Sequence, residues 1–114
     1  MARARFDSQL ELLNEQLKGM ATATESALMA AVEVLSTRDV DKAREILAND
    51  DEIDNFERDI ESLCLKLLLM QQPVVAGDLR RVGAALKMVG DLERIGDQAS
   101  DIADVVLTLD GEFD

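Results

Sequence analysis

The sequence predicts an all-α protein: an antiparallel three-helix bundle that forms a single domain over residues 1–114. Apolar residues recur at alternating steps of three and four along almost the whole chain, which is the period of an amphipathic helix. One proline and six glycines in 114 residues leave few positions that would break a helix. Short breaks at residues 36–39 and 73–78 divide the pattern, so a chain that folds back on itself is favoured over one long coiled coil.

The first two helices are predicted at about residues 4–36 and 39–71. The apolar stripe of the first helix consists of Phe6, Leu10, Leu13, Leu17, Met20, Thr24, Ala27, Ala31 and Val34. Asp39 is the expected N-cap of the second helix. The stripe of that helix consists of Ile53, Phe56, Ile60, Leu63, Leu67 and Met70. The single cysteine, Cys64, lies in an apolar run and is predicted to be a buried thiol.

The third helix is predicted at about residues 76–110, after a turn that contains Pro73. Asp78 falls in its first turn, where a negative charge complements the helix dipole. Its predicted core stripe consists of Leu79, Val82, Leu86, Val89, Leu92, Ile95, Ala99, Ile102, Val106 and Leu109. No segment alternates polar and apolar residues in the manner of a strand.

The composition excludes several classes of function. Twenty-four acidic and twelve basic residues give a formal net charge of −12, which opposes binding to nucleic acid or to an anionic membrane surface. No run approaches the ~20 apolar residues that a membrane span needs, and no signal peptide is evident. We therefore expect a soluble protein in a reducing compartment. Histidine is absent, so histidine-based catalysis and ligation are excluded.

The acidic residues are concentrated in two segments. Residues 50–61 contain seven acids, residues 91–114 contain eight, and each segment has one base. If the second and third helices form a hairpin about residue 74, residues equidistant from that turn lie at one height. Asp50 is then level with roughly residue 98, and Asp54 with roughly residue 94. The pairs Asp50/Asp54 and Glu93/Asp97 should therefore meet on neighbouring helices.

Two such pairs can enclose a cation with oxygen ligands only. Without histidine or a second cysteine, the candidates are Mg²⁺, Mn²⁺, Ca²⁺ or iron, and tetrahedral zinc is excluded. Glu93 and Asp97 lie beside the predicted core stripe, so the site should be shallow and open. The alternative is a solvated acidic surface on a helical assembly or interaction domain that binds no metal. Spacing alone leaves both interpretations open.

Catalysis is not expected. A di-iron site in a helical bundle normally uses Glu-x-x-His motifs, which this sequence lacks. No serine, cysteine or lysine stands beside a base in a recognisable pocket, so nucleophilic chemistry is not indicated either.

Several segments resemble the PhoU family of phosphate-signalling proteins. They are the QQPVVAGDLRRVGAALKMVGDLERIGD segment at residues 71–97, the DDEID string at 50–54 and the opening FDSQLEL at 6–12. Within the first of these, DLR at 78–80 and ERIGD at 93–97 carry the resemblance, the latter as the family's E/D-x-x-x-D motif. The similarity extends over essentially the whole chain.

The resemblance implies an all-helical cytoplasmic protein of bacteria that binds metal ions, such as Mg, Mn or Fe, through paired acidic motifs. The implied metal ligands are Glu93 and Asp97, with Asp50 and Asp54 as the facing pair. It also implies negative regulation of the phosphate-starvation response and modulation of phosphate uptake. The implied partners are the ATPase of the phosphate ABC transporter and a membrane sensor histidine kinase.

The chain differs from the family pattern because it has one three-helix repeat where two in tandem are usual. We expect it to be the N-terminal half of a longer protein, with a natural single-repeat member as the alternative, and in either case a single repeat could pair with itself as a homodimer. Gly77 stands where the family often has a Ser or Thr helix cap. Arg80 and Arg81 form a basic patch beside the proline turn and are candidate partner-binding residues.

Overall fold

The computed structural model describes residues 2–70 and 75–113, and the described residues form three helices and no strand. Helix α1 spans Ala2–Thr37, α2 spans Val40–Met70 and α3 spans Ala76–Phe113. The predicted all-α class is therefore confirmed. The predicted turn at Pro73 lies outside the described residues.

The connection between α1 and α2 is two residues long. Arg38 has a φ of 59°, the left-handed conformation that commonly ends a helix, and its N–H donates to the Val34 carbonyl at 2.8 Å. Asp39 then accepts a hydrogen bond from the Lys42 N–H at 3.1 Å, so the predicted N-cap is confirmed. This tight reversal makes α2 antiparallel to α1.

The three helices form an elongated bundle of 62 × 18 × 16 Å in which every helix contacts both others. Its core consists of two clusters that follow one another along the long axis. The cluster at the end of the bundle where α1 and α3 begin contains large side chains, among them Phe6, Met20, Ile60 and Leu67. The other cluster is rich in alanine and consists of Ala31, Val34, Ala43, Ile46, Ala99, Ala103 and Val106. None of the described parts of α1, α2 and α3 contains a sufficiently long apolar stretch for a membrane span.

The predicted core positions of α1 and α2 are buried or half-buried, and the Cys64 thiol is buried as expected. The predicted stripe of α3 is wrong at two positions, because Leu79 is 52% exposed and Leu86 is 40% exposed. The helix instead turns Asp78 and Ala85 toward the core, each one residue earlier in the sequence. Small side chains face the core along much of α3, and the large Leu79 and Leu86 remain at its edge.

Asp78 forms an ion pair with Arg3 in addition to its predicted interaction with the helix dipole. It is only 4% exposed, and its carboxylate accepts hydrogen bonds from the Arg3 guanidinium at 2.7 and 3.4 Å. The same guanidinium lies over the Phe6 ring, 4.9 Å from its centroid. The hydrogen bond with Arg3 lowers the pKa of Asp78. The beginnings of α1 and α3 are therefore joined by a charged contact.

Candidate functional site

Five carboxylates on α2 and α3 lie along the groove between these helices and form what we call the acidic cluster. Its members are Asp50, Asp54, Glu57, Glu93 and Asp97, and their side chains interact electrostatically across the two helices. The four residues predicted to meet are therefore brought together by the fold.

Apolar side chains flank the acidic cluster along this groove, which also contains Ser100 and Glu61. The row of α3 side chains at seven-residue intervals reads Leu79, Leu86, Glu93, Ser100 and Leu107. On one side of the cluster, Leu47 and Leu107 pack against the alanine-rich core. On the other side, Leu68 packs against the core cluster of large side chains. The carboxylates therefore have apolar neighbours that limit their access to water.

The two helices approach closely at the level of the cluster. Gly96 is buried, and a Cβ added to it would lie 3.3 Å from Cδ1 and from Cγ2 of Ile53. Because Gly96 lies between Glu93 and Asp97 in sequence, this contact holds both residues close to the α2 acids.

Glu93 is the most strongly perturbed acid. Burial, a hydrogen bond with Asp54 and the charges of Glu57, Asp54 and Asp97 raise the pKa of Glu93 to about 8. In its protonated form Glu93 donates to the Asp54 carboxylate. The expectation of an open site therefore holds for Asp97, which is exposed, but not for Glu93, which is half-buried.

Burial also raises the pKa of Asp50 and of Glu57. For Asp50, the charge of Asp54 adds to the effect of burial, and a hydrogen bond from the Ser100 hydroxyl opposes it. For Glu57, the charges of Glu61 and Asp54 add to it. Burial is the largest cause of each of these shifts and nearby carboxylates add to it, while the charge of Arg58 opposes the rise at Glu57.

Two buried carboxylate oxygens in the cluster have no hydrogen-bond partner: Oδ1 of Asp50 and Oε2 of Glu93. Buried acceptors without partners are uncommon in folded proteins and often mark a position for a water or an ion. As they stand, however, no three carboxylates among the described residues are placed to hold one metal ion together. The donor set suits a cation that prefers oxygen, and the side chains would have to turn toward it.

Sequence reasoning assigned no role to Glu57 or Ser100. Glu57 lies seven residues after Asp50, on the same face of α2. This spacing could have identified Glu57 as a further member of the acidic cluster. Ser100 lies seven residues after Glu93, and a serine hydroxyl in this row carries no comparable signal.

The predicted partner-binding arginines lie away from the cluster. Arg80 and Arg81 are both exposed in the first turns of α3. Arg81 approaches Asp78, with Nη1 3.8 Å from Oδ1. The α1–α2 side of the bundle has a separate groove of about 660 Å³, lined by residues that include Lys18, Lys42 and Phe56. No member of the acidic cluster lines it.

Fold and site together define a class of acidic, all-helical bundles with a carboxylate cluster between two antiparallel helices. A family model described as the PhoU domain matches residues 17–106. The chain therefore belongs to the PhoU family.

The chain is similar to curated phosphate-specific transport system accessory proteins. It is 41% identical to the PhoU homolog of Clostridium acetobutylicum over 112 residues, which cover 98% of this chain and 51% of the relative. Identity to the Aquifex aeolicus homolog is 41% over 101 residues, covering 89% and 45% respectively. Identity to PhoU of Edwardsiella tarda is 34%, covering 90% and 42%. The chain thus spans about half the length of these relatives, and no solved structure gives a significant match.

Proposed function

We propose that this chain is a regulatory adaptor of bacterial phosphate transport that binds a metal ion at its acidic cluster. Relatives are named accessory proteins of the phosphate-specific transport system, which supports a role beside a transporter. In this proposal the chain performs no catalysis. It acts in the cytoplasm as a negative regulator of the phosphate-starvation response and a modulator of phosphate uptake, through contacts with a transporter ATPase and a sensor histidine kinase.

The observation that carries the metal proposal is the pair of unpartnered buried oxygens, Oδ1 of Asp50 and Oε2 of Glu93. A cation with oxygen ligands, such as Mg²⁺, Mn²⁺ or iron, would be held by Asp50, Asp54, Glu93 and Asp97, with Glu57 beside them. When bound, it would supply positive charge to a groove of like charges. Glu93 would have to lose its proton, so binding would release it and would strengthen as the pH rises.

Thermal unfolding tests this proposal, because a ligand that binds only the folded chain stabilises it. Mn²⁺ at a hundredfold excess over its Kd adds about 2.7 kcal/mol of stability for one site. The wild type should show this increase, and a double variant Asp54→Asn, Glu93→Gln should not. The control, Asp59→Asn with Glu15→Gln, makes the same two acid-to-amide replacements at exposed positions outside the cluster. Equal shifts in all three proteins would favour the alternative, a helical interaction domain with a solvated acidic surface.

We assign the partner contact to Arg80 and Arg81 because they are adjacent exposed cations in the first turns of α3, where they form a basic patch. Binding of the purified transporter ATPase should be lost in Arg80→Glu, Arg81→Glu. It should persist in Arg44→Glu, Arg58→Glu, which makes the same charge change at exposed positions of α2. Equal binding by both variants would remove the arginines from the interface.

A further inference from the structure

The groove between α2 and α3 that holds the acidic cluster continues as an apolar surface toward the end of the bundle where α3 begins. The close approach of Gly96 to Ile53 fixes the register of the two helices. Leu69 is then level with about residue 80, and Leu65 with about residue 84. We call this surface the leucine patch: Leu65 and Leu69 of α2, with Leu79, Gly83, Leu86 and Gly90 of α3.

The leucines of the patch face solvent. Leu69 is 68% exposed and Leu65 is 59% exposed, and Leu79 and Leu86 are exposed as well. A single exposed leucine is ordinary on a protein surface, but these four lie at similar heights on neighbouring helices. An exposed apolar patch of this kind marks a surface that another molecule covers.

Gly83 and Gly90 alternate with the leucines of α3, although no contact in the described part of the chain requires glycine there. A Cβ added to either residue would meet no atom within 4 Å, and neither residue has a positive φ. Glycine in the interior of a helix is unfavourable relative to alanine. Its use at both positions keeps the surface low, so that the backbone of another molecule can approach α3 closely.

The leucine patch passes directly into the acidic cluster on both helices. On α2, Leu68 is followed at seven-residue intervals toward the beginning of the helix by Glu61 and Asp54. Two rows of α3 make the same change from apolar to acidic: Leu79, Leu86 and Glu93 in one row, and Gly83, Gly90 and Asp97 in the other. A molecule that covers the whole groove must therefore be apolar at one end and positively charged at the other.

The groove suits a helix in length and in charge. Leu79 and Asp97 are separated by about 27 Å along α3, which is the length of a helix of about 18 residues. An amphipathic helix binds in such a groove through apolar side chains spaced three and four residues apart. A second copy of this chain fits less well, because two acidic clusters would then face each other.

We propose that the leucine patch and the acidic cluster together bind an amphipathic helix of a partner protein. The apolar stripe of that helix lies on the patch, and lysine or arginine side chains at one of its ends face the cluster. The proposal rests on the adaptor function above only in expecting a partner protein, and it does not involve Arg80 or Arg81. Because a metal ion and the basic end of the helix would use the same carboxylates, binding is tested without metal.

Fluorescence anisotropy in the presence of a chelator tests the proposal with a labelled helical peptide of about 18 residues. The peptide carries leucines along one stripe and lysines in one terminal turn. A matched peptide has glutamates in place of the lysines. The wild-type chain should bind the lysine peptide roughly tenfold or more tightly than the glutamate peptide.

Two variants of the patch separate specific binding from general attraction between opposite charges. Gly83→Leu should weaken binding of the lysine peptide roughly tenfold or more, and its Tm should not fall because the space beside Gly83 is open. Leu65→Glu should also weaken binding, although its added charge attracts the peptide. The controls Ala48→Leu and Leu35→Glu make similar replacements at exposed positions outside the groove and should bind as the wild type does.

Equal binding by the wild type and Gly83→Leu would overturn the proposal, as would a wild type that does not bind the lysine peptide. A glutamate peptide that binds equally well would also contradict it. Sedimentation equilibrium of the chain alone tests the other occupant, because a dimer that Gly83→Leu dissociates would assign the patch to a second copy. None of these results bears on Mn²⁺ binding or on the ATPase contact, so failure here is distinct from failure of the proposed function.

Discussion

Glu93 is an acidic side chain that lies half-buried beside the core, next to other carboxylates. Its row on α3 carries leucine on either side of the cluster, and its Oε2 atom is buried without a partner. These surroundings raise the pKa of Glu93 to about 8. The carboxyl group therefore keeps its proton near neutral pH. The raised pKa means that ionisation of Glu93 opposes folding.

Replacing Glu93 with Gln should stabilise the metal-free protein. In the wild type, Glu93 retains a proton in the fold up to a pKa of about 8 but loses it near 4.5 when unfolded. Stability from this group is complete below 4.5 and is lost as the pH rises through 8. Glu93→Gln should raise Tm at neutral pH and make Tm fall less steeply over this interval, measured with a chelator present. The exposed control Glu15→Gln should keep the wild-type slope; an unchanged slope in Glu93→Gln would mean that the group titrates normally.

The Arg3–Asp78 contact has the opposite pH dependence. The pKa of Asp78 is lowered, so its contribution is present above its ordinary value of 3.8 and is lost as the pH falls through the lowered pKa. Arg3→Met should lower Tm at neutral pH, because it leaves a buried carboxylate without its principal partner. The deficit should shrink in acid. Arg5→Met, at an exposed position, is the control, and a deficit that is independent of pH would point to lost packing on Phe6 alone.

At the scale of the element, Gly83 and Gly96 of α3 distinguish the effect of helix propensity on stability from the effect of helix packing. A Cβ at Gly83 would meet nothing within 4 Å, whereas one at Gly96 would crowd Ile53 at 3.3 Å. Gly83→Ala should raise the free energy of unfolding by about 0.5–1 kcal/mol. Gly96→Ala should gain less or lose stability, because α2 and α3 must separate beside the cluster. Denaturant unfolding of the two variants measures the difference, and equal gains would contradict a close contact at Gly96.

The helices themselves could be predicted from periodicity, as could the Asp39 cap and the meeting of Asp54 with Glu93. Pairing residues that are equidistant from the turn succeeded because α2 and α3 are continuous and antiparallel helices. The position of a residue along the bundle axis then follows from its distance in sequence from the turn. The rotation of α3 could not be predicted in the same way. Asp78 and Leu79 are both compatible with a helical stripe, and the choice depends on Arg3, which lies 75 residues away in sequence. A local pattern does not contain that contact.

At the scale of the whole molecule, shape and charge act together. The radius of gyration is 17.8 Å, whereas a compact domain of this length has about 13 Å, so the bundle is a rod with long grooves. One groove, between α2 and α3, carries the acidic cluster, and another, between α1 and α2, is lined by residues that include Lys18 and Lys42. A net charge of −12 on so narrow a rod opposes folding by self-repulsion, and a bound cation would reduce it. Composition predicted the charge, but only the packing of the helices shows that the two grooves lie on different sides.

The most direct test of the central claim is equilibrium dialysis of the purified chain against Mn²⁺, which counts bound ions. The wild type and the Asp59→Asn, Glu15→Gln control should bind Mn²⁺ stoichiometrically at neutral pH. The Asp54→Asn, Glu93→Gln variant should bind none at the same free concentration. Equal binding by all three proteins, or none by the wild type, would contradict a metal site between α2 and α3.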